Sequence, residues 1–132
     1  MPNHYPYLAF STNWNNKLLC NCWTTLRLWN PEKYVLKTSY AVHLKDEYVG
    51  EAQLINARKF KASNINDYIG FLDTGYNAAQ TKKIIANMYK RIDDPTVGLY
   101  LFKWVKRHPG SPVDFKAMLE LYKDSSLLNT VS

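Results

Sequence analysis

Cysteine is scarce in this chain: Cys20 and Cys22, one residue apart, are the only two. Neighbours this close cannot form an ordinary structural disulfide, and a four-ligand zinc site has too few other thiols to draw on. A disulfide-stapled scaffold is therefore excluded, and a reduced, cytoplasmic compartment is expected. No apolar run approaches the ~20 residues that cross a bilayer, so the expectation is a soluble protein with no membrane contact. The opening residues, Met1 to Tyr5, have neither the basic nor the apolar region of a secretory signal. There is also no phosphate-binding glycine loop, no nucleophile elbow and no metal-ligand spacing, so neither a metal nor a cofactor is expected. No repeat or low-complexity tract is visible.

What is present is a globular composition. Hydrophobic residues make up 46% of 132, a size that suits a single domain over residues 1–132. Aromatics reach 14%, with ten Tyr, five Phe and four Trp. One small core does not need that many, which leaves some for a groove or a surface. The net charge of +6 favours a polyanionic partner, since a positive field speeds encounter with phosphate and binding releases counterions.

Along the chain, Pro2 and Pro6 read as an irregular or extended lead-in through Ala9. Ser11 or Thr12 can cap a short helix from Trp14 to about Cys20, with Leu18 and Leu19 turned inward. Trp23 to Leu28 alternates as a strand, and Asn30-Pro31-Glu32 is a turn signal. Tyr40–Lys45 and Tyr48–Phe60 read as a hairpin across Asp46-Glu47. Asn64 can cap a helix over Ile65–Leu72 that Gly75 closes. From Asn77 to Arg91, a stripe of Ile84, Ile85, Met88 and Ile92 predicts an amphipathic helix. Gly98 to Lys106 reads as a central strand buried on both sides. After the His108–Pro112 linker, a final helix runs from about Val113 to Tyr122, a C-terminal helical extension of about 112–124. The order implies an α+β fold: a small curved sheet or barrel with flanking helices.

The segment with the most chemistry is Cys20 to Leu28. On a strand, Trp23, Thr25 and Arg27 share one face, and Leu26 and Leu28 share the other. If the leucines face the core, an indole, a hydroxyl and a guanidinium stand together, a set that suits a nucleotide. The competing reading is a Trp covering a sheet face and an Arg in a surface ion pair. Cys22 can act as a nucleophile if a cation such as Arg27 lowers its pKa; otherwise it is a small buried thiol. The basic groups Arg58-Lys59-Lys61, Lys82-Lys83-Lys90-Arg91 and Lys103-Lys106-Arg107 make a phosphate track if the fold gathers them, and solvated faces if it does not. The acid pairs Asp46-Glu47 and Asp93-Asp94 fall in predicted turns.

The run Phe10 to Leu19, followed by Trp23-Thr24-Thr25-Leu26-Arg27, resembles the start of ASCH domains, a branch of the PUA-like superfamily. There a short helix leads into a strand with a pattern close to Gly-x-Lys-x-x-Thr-x-Arg. Asp73-Thr74-Gly75-Tyr76 resembles that family's acidic-Gly-aromatic turn, and Gly98–Lys106 its closing strand. The resemblance covers about residues 8–107. It implies a small PUA-like β-barrel of about five strands with flanking helices, and a cleft for RNA or modified nucleosides. Some bacterial members hydrolyse the amide of N4-acetylcytidine with a Lys, a Thr and a carboxylate. By position, Thr25 matches the motif Thr and Arg27 the motif Arg; Cys22 stands in place of the Lys, and Cys20 where Gly is frequent. The carboxylate falls on Asp73, or Thr74 takes its place.

Three functions follow as expectations. The first is a module binding RNA or a nucleoside-like ligand through Trp23, Thr25, Arg27, Asp73 and Tyr76. The second is an amidohydrolase on N4-acylated cytidine nucleosides, with Thr25 or Cys22 attacking and Asp73 as acid or base. The third is a protein-interaction scaffold whose C-terminal helix forms the interface.

Overall fold

The computed structural model describes residues 6–114. The expected final helix lies outside them except for Val113 and Asp114, which are not helical. Five strands form one sheet: β1 (Tyr7–Phe10), β2 (Cys22–Leu28), β3 (Ser39–Leu44), β4 (Glu47–Lys61) and β5 (Thr96–Arg107). The spatial order is β1-β3-β4-β5-β2, so β1 and β2 are the two edges. The β1–β3 pair is parallel and the other pairs are antiparallel. The sheet curls into a half-barrel, in keeping with a small α+β fold. Register shifts at Val42/His43, Glu51/Ala52 and Leu54/Asn56 mark bulges, which bend long strands and add twist.

The hairpin of β3 and β4 forms as expected, with its turn one residue earlier than Asp46-Glu47 and Glu47 already in β4. Its two-residue turn, Lys45-Asp46, has both residues in the left-handed region, the geometry that matches strand twist in tight hairpins. The lead-in differs: Tyr7–Phe10 is a strand, with Leu8 and Phe10 buried and Tyr7 and Ala9 outward. Four residues between a proline and a Ser-Thr-Asn turn carry too little alternation to stand out.

Two cores lie on opposite faces of the sheet. Inside the curl, Trp23, Tyr40, Leu54, Tyr100, Phe102 and Trp104 pack together with Leu8, Phe10 and Leu18. On the other face, Leu26 and Val97 meet Ala62, Ile65 and Ile85. That second layer comes from helices α1 (Asp67–Asp73) and α2 (Ala78–Met88) and the turn before them. Asn66 caps α1 by accepting from the Ile69 N–H. Asn77 and Gln80 form a reciprocal capping box on α2. The helices cover only one end of the sheet. β5 is thus buried on both sides around Val97 and Leu99, while Lys103 and Val105 face solvent, which corrects the expectation for that strand. On α2 only Ile85 of the predicted stripe is fully buried, and Met88 is exposed.

Candidate functional site

A cleft of about 170 Å³ opens between the two edges of the half-barrel, lined by Phe10, Trp14, Lys17, Thr25, Arg27 and Asp73, with α2 supplying Ile84, Ile85 and Met88. The edges are not joined by backbone pairing. They are bridged by Arg27, whose Nη2 donates to the Ala9 carbonyl at 2.7 Å. Its Nε donates to Thr25 Oγ1 at 3.1 Å, and its guanidinium lies 4.7 Å from the centre of the Phe10 ring. Arg27 is therefore fixed before any ligand arrives, and no carboxylate pairs with it among the described residues.

Behind it lies a buried ion pair. Lys17 Nζ donates to Asp73 Oδ1 at 3.0 Å, and both side chains are about 5% exposed or less. Thr24 Oγ1 donates to the same carboxylate oxygen at 2.8 Å. Burial pushes the Lys17 ammonium below its ordinary pKa, Asp73 pulls it back up, and Arg27 adds a smaller downward push.

Local structure explains the placement. Lys17 sits in an irregular 3-10 segment, Trp14–Leu19, broken by the left-handed Asn15 and Asn16. The next residue, Leu18, is fully buried, and its carbonyl accepts from Trp104 Nε1 at 2.9 Å. That anchor in the barrel sets where Lys17 emerges. Asp73 is the last residue of α1, an acid at the end where the helix dipole disfavours one. Its cation compensates. Gly75, with φ +85°, closes α1 by returning its N–H to the Gly70 carbonyl. Asn15 bonds the Phe71 carbonyl, tying the two segments together.

The residues singled out from sequence distribute unevenly. Thr25, Arg27 and Asp73 all line the cleft. Trp23 does not. Its ring is stacked on Phe102 at 5.1 Å in the barrel core, 3% exposed, with its indole N–H unpartnered. Its shared face with Thr25 and Arg27 is the inside of the curl, so the indole is packed where a base cannot reach. Tyr76 stands outside the cleft, edge-on to Trp14 at 6.1 Å. Cys22 and Cys20 are exposed free thiols and line no part of the cleft. Thr74 does line it, with its hydroxyl shared between the Gly70 carbonyl and Thr81.

Lys17 was missed, although before Glu32 the only charged side chains are Lys17 and Arg27. In a segment so poor in charge, a lysine next to inward leucines is the signal that could have found it.

No protein-family model, curated protein or solved structure matches this chain. Among the described residues no helix is long and apolar enough to cross a membrane, and no cluster of His, Cys, Asp or Glu could hold a metal ion.

Proposed function

We propose that the cleft binds the base of a nucleoside or of an RNA nucleotide, as a module of the ASCH/PUA-like type. The observation that carries this reading is the pre-positioned Arg27, with no carboxylate against it among the described residues, beside the Thr25 hydroxyl in a cleft that also has apolar walls. Lys17 and Asp73 cancel one another, so the cleft keeps a net positive charge. That charge suits a carbonyl edge or a phosphate, and Phe10, Trp14, Leu26 and Ile85 suit the flat face of a base. Calorimetric titration of cytidine and a short single-stranded RNA tests it. Arg27→Ala is expected to weaken binding at least tenfold, the scale of a lost charge-assisted hydrogen bond of about 1.5–3 kcal/mol. An unchanged affinity in a variant with native urea stability would remove Arg27 from the site.

One observation favours an amidohydrolase acting on N4-acylated cytidine as the second reading. A Lys, a Thr and a carboxylate meet beside the cleft, as Lys17 and Asp73 in its lining and Thr24 joined to it through Asp73, rather than through Cys22 and Thr25. In that chemistry Thr24 Oγ1 attacks the acyl carbon and its proton passes to Asp73. The C–N bond breaks, N4 leaves carrying the proton, and water then cleaves the acyl ester to release the carboxylate. Thr25 already accepts an N–H from Arg27 and has no carboxylate against it. Turnover of N4-acetylcytidine is expected to vanish in Thr24→Val and to persist in Cys22→Ser. Turnover that survives Thr24→Val would rule out this trio.

A further inference from the structure

Beside the cleft lies a second depression of about 280 Å³, lined by Trp14, Tyr76, Gln80, Lys83 and Ile84. Trp14 and Ile84 form walls of both. Trp14 is half-buried and Tyr76 44% exposed, so the pair presents an aromatic corner to solvent at the mouth of the cleft. Lys83 is exposed at its rim. Between Asp73 and Asp93 the sequence has no acid, yet it has Lys82, Lys83, Lys90 and Arg91. An aromatic surface with a lysine at its rim and no carboxylate in its lining suits a stacked base and its phosphate.

We infer that this shelf is a second nucleotide subsite, so that the ligand is a strand of single-stranded RNA rather than a free nucleoside. One base enters the cleft. Its neighbour stacks against Tyr76 and Trp14, and Lys83 meets the phosphate that links them. This inference rests on the nucleotide-binding reading of the cleft and adds the polymer to it. The spacing is short enough for adjacent nucleotides because the two depressions share a wall.

The test compares cytidine with the trinucleotide of cytidine on the full chain, for the native protein and for Tyr76→Ala and Lys83→Gln. Both substituted residues are exposed and line the shelf but not the cleft. The trinucleotide is expected to bind about tenfold tighter than cytidine, the scale of one stacked base. Each variant should remove most of that gain and leave cytidine affinity within twofold. If cytidine binds but the trinucleotide binds no tighter, or the gain survives both variants, the shelf is no subsite and the cleft reading stands. If neither probe binds, the cleft reading falls and the shelf with it.

Discussion

Lys17 and Asp73 are at once a structural cost and part of the candidate cleft. Two charges taken out of water lose several kcal/mol of hydration each, and mutual attraction with the Thr24 hydrogen bond offsets that loss. Removing one partner strands the other. Lys17→Met and Asp73→Asn are each expected to destabilise the protein by about 3 kcal/mol in urea unfolding, and the double variant by clearly less than the sum. Strict additivity would mean that the two groups do not stabilise one another. At this scale the sequence was half legible. Asp73 stands out because it precedes a glycine turn, and Arg27 because it ends an alternating strand. Lys17 did not, because its burial depends on Leu18 being anchored by Trp104, 86 positions away. For Trp23 the alternation correctly paired it with Thr25 and Arg27. Alternation cannot say which face is enclosed when a curled sheet has a core on both sides.

At the scale of elements, the site depends on how α1 is held against the turn that follows it. Gly70 is where they touch: a Cβ there would lie 2.5 Å from the Tyr76 carbonyl oxygen and 2.8 Å from Thr81 Oγ1. Those are backbone and buried atoms that cannot swing aside. Gly70→Ala should therefore push α1 outward, destabilise the fold by about 1–3 kcal/mol and weaken ligand binding by displacing Asp73, although Gly70 does not line the cleft. Native affinity in this variant would show that α1 does not position the cleft. Strands and helices were largely readable because turns and periods are local: the stripe after Asn77, the hairpin link at Asp46-Glu47 and the run of strand formers from Gly98, each within a residue or two of the observed element. β1 was not, because its partner β3 lies some thirty residues further along and its pairing is parallel.

At the scale of the whole molecule, the inside of the curl is unusually rich in phenol. Burial raises the pKa of Tyr34, Tyr40 and Tyr100 above the ordinary value of 10.0. Each stays protonated in the folded chain where the unfolded chain has already ionised. Their contribution is whole below pH 10.0 and is lost as pH climbs through the raised values. Lys17 runs the other way. With its folded pKa lowered, its contribution to stability rises between that value and its ordinary 10.5 and opposes the phenol loss up to that pH. The urea midpoint is expected to fall above pH 10.5, where Lys17 no longer opposes the phenols. A flat profile there would mean the phenols ionise freely in the folded state.

The proposed binding place is the cleft between the barrel edges, with Arg27 and Thr25 as its fixed polar groups. The most direct test is backbone amide chemical-shift mapping during titration with cytidine. The largest shifts are expected in Thr25–Arg27, Asp73–Thr74 and Ile84–Ile85, with the β3–β4 hairpin turn at Lys45-Asp46 unmoved. Shifts concentrated away from the cleft, or none at saturating cytidine, would contradict it.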